Sequence, residues 1–215
     1  MSDFLDASKP IEVTRGGGLP HWFQEDATVL LTFRLADAAP ADLLRRWQAQ
    51  RIGWLRNLKI EHERAGWEAE LAALPPDLRR EYHARFTQGF QRLLDRGHGS
   101  CVLSRPEAAA AVATALHHFD GARYRLGDFV VMPNHVHVLF TPLPGFATPG
   151  IGTSWKRFTA PRIQAILGGS GKLWQHESFD HLVRNERSLE KIRAYIAENP
   201  KNLRPGTYLL GSGQK

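Results

Sequence analysis

The stretch Val130-Val131-Met132-Pro133-Asn134-His135-Val136-His137-Val138-Leu139-Phe140 puts two imidazoles two residues apart in an apolar run. Side chains alternate along a strand, so His135 and His137 face one way and Val136 and Val138 the other. The valine face can pack on helices. The histidine face offers two ring nitrogens to one divalent cation, and the turn before it predicts a site at the sheet rim, open to substrate. Further along, Tyr195 and Asn199 stand at i and i+4 in Ala194-Tyr195-Ile196-Ala197-Glu198-Asn199-Pro200, so they share a helix face. The Asn199 amide oxygen could join the imidazoles as a third, hard ligand. Such a mixed nitrogen and oxygen set suits Mg²⁺ or Mn²⁺.

These residue types belong together in the cleavage of a phosphodiester. A cation on a non-bridging oxygen withdraws charge and orients the phosphorus. A phenol, with an ordinary pKa near 10, attacks poorly until nearby charge stabilises its anion. Attack by Tyr195 would leave a phosphotyrosine and a free hydroxyl, conserving the bond energy for rejoining. Each piece alone has an ordinary structural reading: a hydrogen-bonded histidine face, a half-buried helix tyrosine, a helix-terminal asparagine before proline. Only the set points to chemistry.

The elements that must position this set are legible in outline. Residues 1–27 read as an irregular N-terminal arm, and Val29 to Leu35 as a strand. Residues 41–98 carry long helical patterns, broken by Pro75-Pro76, and read as a helical insertion. Ser104-Arg105-Pro106-Glu107 resembles a capping box ahead of an alanine-rich helix. Arg123 to Val131 and His135 to Thr141 form a hairpin around Met132-Pro133-Asn134. Ser154 to Leu167 is a basic helix with a kink or break expected at Pro161. Trp174 to Arg184 is mixed, part of it strand. Ser188 caps a last helix that Pro200 stops, and residues 201–215 form a polar tail. The order predicts an α+β fold, an antiparallel sheet with helices packed on it, as one domain over residues 28–200.

Composition sets the class. The 215-residue chain is 42% hydrophobic, enough for a packed core, and carries a formal net charge of +6. That basic excess suits a polyanionic partner without requiring one. The single Cys101 excludes an internal disulfide framework. Residues 1–6 lack a basic and apolar leader, and no apolar run reaches membrane-spanning length, so a cytoplasmic location without membrane contact is expected.

The segment from Met132 to Leu139 resembles the histidine–hydrophobic–histidine motif of the HUH single-strand DNA endonucleases, and more narrowly the REP-associated tyrosine transposases. Other segments resemble the same family in the same order: Leu19-Pro20-His21-Trp22, Leu31-Thr32-Phe33-Arg34-Leu35, His118-Phe119-Asp120-Gly121, Ser154-Trp155-Lys156-Arg157-Phe158-Thr159, Trp174-Gln175 with Phe179-Asp180-His181, and Tyr195-Ile196 with Asn199-Pro200. The resemblance spans roughly residues 15–200. It implies a ferredoxin-like or RRM-like sheet with the histidines on a central strand. It implies His135 and His137 as metal ligands, Tyr195 as nucleophile and Asn199 as a polar third ligand. The implied substrate is single-stranded DNA with a foldback hairpin, such as a REP element in the nucleoid, cut to a 5′-phosphotyrosine and a free 3′-OH. The chain departs from the family after Pro200. Many relatives there read Val-Lys-Ala-Gly-Leu and continue in a tryptophan-containing tail.

Candidate DNA contacts follow. Lys156, Arg157 and Arg162 can neutralise phosphates. Trp155 and Phe158 go either to the core, which their pattern favours, or to unpaired bases. Arg184 and Arg187 precede the tyrosine helix. His181 could support the metal ligands from behind, and Arg15 and His21 could reach the hairpin from the arm. One nucleophile per chain means that paired cutting and joining needs a homodimer or two turnovers. The competing reading is a nucleic-acid-binding protein that keeps the fold without cleaving. A histidine-triad hydrolase would need a third alternating histidine, and position 139 is leucine.

Overall fold

The computed structural model describes residues 4–6, 8–9, 12–16, 19–64, 67–89, 97–176 and 178–213. The chain divides into two compact units, residues 1–36 with 100–215, and residues 37–99.

The larger unit is built on a five-stranded sheet of β3 (Val29–Arg34), β4 (Tyr124–Val131), β5 (His135–Pro142), β6 (Phe179–Leu182) and β7 (Leu209–Gly211). Its order is β6-β3-β5-β4-β7, antiparallel throughout. Helix α4 (Pro106–His117) leads into β4, and α5 (Thr148–Leu167) connects β5 to β6. The run β3-α4-β4-β5-α5-β6, with β3 and β5 central, is the ferredoxin-like arrangement. Helix α6 (Glu186–Glu198) follows.

The two sheet faces have different coverings. Val136, Val138 and Phe140 share a face with Phe33, and this face meets α5. Trp155 packs edge to face on Phe140, 5.0 Å between ring centroids, and lies tilted 6.3 Å from Phe33. Leu30, Val130 and Leu139, on the opposite face, join Ile196, Leu189 and Ile192 of α6 in one apolar cluster. The histidines share that second face, so the helix bearing Tyr195 lies over them.

Several expectations change. The arm is not irregular: β1 (Glu12–Gly16) and β2 (Leu19–Phe23) pair as a hairpin, Arg15 opposite Pro20 and Thr14 opposite His21. The side chains of Arg15 and His21 lie outside the described residues. The tail is not outside the domain either, because Leu209–Gly211 pairs with β4. A Cβ at Gly211 would fall 2.3 Å from the Phe129 ring, so this strand approaches only because glycine has no side chain. Ser104 does not cap α4. It ends a short 3₁₀ turn, and Arg105 holds the cap position without a side-chain bond. On α6 the cap is Asn185, which accepts from the Ser188 amide. Pro161 does not break α5. Buried Trp155, Thr159 and Ile163 flank it, and their packing outweighs the lost hydrogen bond. The helix closes at Gly168, whose φ of +62° is left-handed.

The smaller unit contains α1 (Ala41–Asn57), α2 (Trp67–Ala73) and α3 (Pro76–Tyr82), the last passing into a π-helical turn, His83–Gln88. Leu55, Ile60, Trp67, Tyr82 and Phe86 form its own core. Arg51 lies over the rings of Trp47 and Trp67 and donates to the Tyr82 hydroxyl.

Candidate active site

His135 opens β5 opposite Arg34, and His137 lies opposite Thr32. The pleat sends both imidazoles to the α6 face, and their Nε2 atoms meet at 3.0 Å. Each outer nitrogen has a partner. His135 Nδ1 lies 2.7 Å from Asn134 Oδ1, and His137 Nδ1 lies 2.7 Å from Thr32 Oγ1. An amide oxygen only accepts, so His135 Nδ1 carries the proton and its Nε2 presents a lone pair. If His137 donates from Nδ1 to Thr32, its Nε2 also presents a lone pair.

Tyr195 completes the group. Its hydroxyl is 3.1 Å from His137 Nε2, and the rings meet edge to face at 5.1 Å between centroids. One turn on, the Asn199 amide N–H donates to the Tyr195 carbonyl, so the helical spacing holds. Both side-chain amide atoms of Asn199 are buried with no hydrogen-bond partner among the described residues. An unsatisfied buried polar group costs about 1–3 kcal/mol, which a bound ligand would relieve.

The imidazoles are 0% and 1% exposed. This corrects the expectation of a site open at the sheet rim: α6 and the apolar cluster beneath it close the histidine face. Burial drives both ring pKa values down, His137 to about 3 and His135 well below its usual value, with the charges of His137 and Arg34 adding to the effect on His135. Rings so weakly basic remain neutral lone-pair donors and are poor bases for a phenol.

These residues fit a divalent cation. Ligands at right angles, each about 2.1 Å from a metal, stand about 3.0 Å apart, and the two Nε2 atoms have that separation. The Asn199 amide, one helical turn from Tyr195 and buried without a hydrogen-bond partner among the described residues, has an oxygen of the type such a cation takes. Among the described residues no cluster of three or more His, Cys, Asp or Glu exists, so any site here rests on two imidazoles and non-acidic oxygens.

The other candidates separate. Trp155 is 1% exposed and donates from Nε1 to the Tyr124 hydroxyl, so it is a core residue and unavailable to DNA. Lys156 bonds the carbonyls of Gln175 and His176 and the Ser178 hydroxyl, pinning that loop to α5. Arg157, Arg162, Arg184 and Arg187 are exposed. His181 is half-buried opposite Leu30, two strands from β5. Sequence reasoning missed Thr32 and Asn134, which hold the rings. It also missed Arg34, whose Nε donates to Gln175 in the cross-strand row of His135. Their only sequence signal is register: each is adjacent to or paired with a histidine.

No family model matches the chain. An uncharacterized protein of Haemophilus influenzae is 30% identical over 97 residues, covering 35% of this chain and 54% of that protein, so the chain spans about half the length of this relative. A solved structure of a REP-associated tyrosine transposase bound to a REP hairpin is similar at a TM-score of 0.43 and 14% identity, covering 87% of this chain and 74% of that one. At that distance no residue role carries across. No helix among the described residues is long and apolar enough to cross a membrane.

Proposed function

We propose that this chain is a metal-dependent endonuclease and strand transferase for single-stranded DNA bearing a hairpin. Tyr195 is the nucleophile, His135 and His137 hold Mg²⁺ or Mn²⁺, and Asn199 supplies an oxygen ligand. The observation that carries the reading is the Tyr195 hydroxyl 3.1 Å from an imidazole nitrogen that is itself 3.0 Å from its twin. A bound cation would polarise the scissile phosphate and stabilise the phenolate. The protein supplies orientation. Asn134 and Thr32 lock the rings, and α6 fixes the phenol against them. In the reaction the Tyr195 oxygen bonds to phosphorus as its proton leaves. The P–O3′ bond breaks, and the departing oxygen takes up a proton. The products are a 5′-phosphotyrosine and a 3′-OH. Each chain offers one such tyrosine, so rejoining uses a second subunit or a second turnover.

The burial of both imidazoles favours a competing reading, a nucleic-acid-binding protein that does not cut. One experiment separates the two. Hairpin-bearing labelled oligonucleotides are incubated with the chain and Mn²⁺ and resolved on a denaturing gel. Label on the protein band, absent in Tyr195→Phe, supports cleavage. Binding without capture at any metal concentration rules cleavage out.

A further inference from the structure

We infer that the larger unit carries a second DNA contact, remote from the imidazoles: a surface on which unpaired bases stack, formed by Phe146, Arg123, Phe119, His118, Phe158 and Arg162. The choice of DNA rests on the function proposed above. The surface itself needs neither metal nor tyrosine.

The planar groups form an uninterrupted run. The Arg123 guanidinium lies 3.5 Å from the Phe119 ring centroid and 5.8 Å from that of Phe146. His118 sits 4.4 Å from Phe119 and stacks near-parallel on Phe158, at 6.1 Å and 18°. Arg162 lies 3.5 Å over Phe158, its Nη1 donating to the Phe158 carbonyl. Three elements contribute: the turn after α4, the loop between β5 and α5, and α5 itself. His118 and Arg162 are exposed and Phe146 is 37% exposed. Phe119, Arg123 and Phe158 are half-buried. The rings are therefore anchored at one edge and planar at the surface.

The charges are placed for a polyanion. Among the described residues neither Arg123 nor Arg162 is in an ion pair, and Asp120, in the same turn, accepts from the Leu126 amide. A guanidinium held over a ring is already ordered. It offers its outer plane to a base and its N–H groups to the adjoining phosphate. A single such pair would be ordinary surface packing. Here the pairing occurs twice, joined through an imidazole, and the run continues into a cleft. That cleft, about 310 Å³, opens beside Phe146 against Phe23, with Lys9 and Glu25 on its walls. Lys9 is paired with Asp26, so what the cleft offers a base is the two rings that line it, Phe23 and Phe146. The run lies where β5 ends, five residues beyond His137, or roughly 17 Å along the strand. It would hold DNA flanking the cut and leave the scissile phosphate to the imidazole end.

The test is fluorescence anisotropy with a dye-labelled, unstructured single-stranded oligodeoxynucleotide and the full chain in EDTA. Wild type, Arg123→Ala/Arg162→Ala and Arg123→Lys/Arg162→Lys are compared, and wild type is also titrated with an abasic strand of equal length. Stacking predicts a Kd about tenfold weaker for the alanine pair, a several-fold loss for the lysine pair at unchanged melting temperature, and weak binding of the abasic strand. Wild-type affinity in the lysine pair, or equal affinity of wild type for the abasic strand, overturns the proposal. Capture by Tyr195 in Mn²⁺ is scored separately. Its absence with base-dependent binding intact refutes cleavage alone, and its presence with no base dependence refutes this surface alone.

Discussion

The Tyr195 hydroxyl and His137 Nε2 lie 3.1 Å apart, although 58 residues separate them in the chain. Strand β5 and helix α6 meet there because Ile196, beside the tyrosine, is buried with Leu139 and Val130 of the sheet. Apolar packing thus sets the position of a polar pair.

Tyr195→Phe tests this pair most directly. It removes the hydrogen bond to His137 and keeps the ring, a loss of about 1 kcal/mol. Covalent capture of labelled hairpin DNA should vanish while anisotropy still reports binding. Capture persisting in the phenylalanine variant would require a different nucleophile.

The buried imidazoles predict a pH dependence of stability. Their folded-state pKa values are depressed, so the unfolded chain binds protons that the folded chain refuses. Stability is therefore full above about pH 6.5 and falls as pH drops below it, for His137 until about 3. The slope is up to about 1.4 kcal/mol per pH unit for each ring. Thermal melts between pH 7 and 5 should show a falling melting temperature, and His137→Phe should flatten it. The same shifts revise a simple expectation for metal binding. Rings with an ordinary pKa would lose a cation as pH fell through about 6, whereas these stay neutral well below that.

Asn199 should respond in opposite directions with and without metal. Asn199→Leu removes two unsatisfied buried atoms, so the metal-free melting temperature should hold or rise. The increase that Mn²⁺ gives the wild type should shrink. An unchanged Mn²⁺ response in Asn199→Leu would remove the residue from the ligand set.

Trp155 and Arg157 are neighbours with different fates. Trp155→Ala empties a core position and breaks the bond to Tyr124, costing about 3–5 kcal/mol. Arg157→Ala, on the exposed side of α5, should leave the denaturation midpoint unchanged. If Arg157 touches a phosphate, the salt dependence of DNA binding should fall by about one unit of log–log slope. Urea melts and salt titrations of the two variants separate the roles.

Much of the larger unit was legible because its signals are local. The alternation from Val136 to Phe140 and the turn at Pro133-Asn134 define β5 and its hairpin. The i, i+4 spacing of Tyr195 and Asn199 fixes a shared helix face. Strands β1, β2 and β7 were not legible, because short segments rich in glycine, proline and polar residues acquire strand structure only from a partner. Gly211 is informative only once the Phe129 ring is in place. The caps on α4 and α6 shifted by a few residues because several polar residues compete near each helix start, and backbone direction selects among them.

The sequence alone determined which groups could do chemistry, since residue type and periodicity are properties of the chain itself. Tertiary structure decided their environment. It buried the imidazoles, gave them Asn134 and Thr32 as partners, took Trp155 into the core, and joined Arg123, Phe119, His118 and Phe158 across elements. Burial and long-range pairing depend on what the rest of the chain brings alongside, and no local pattern records that.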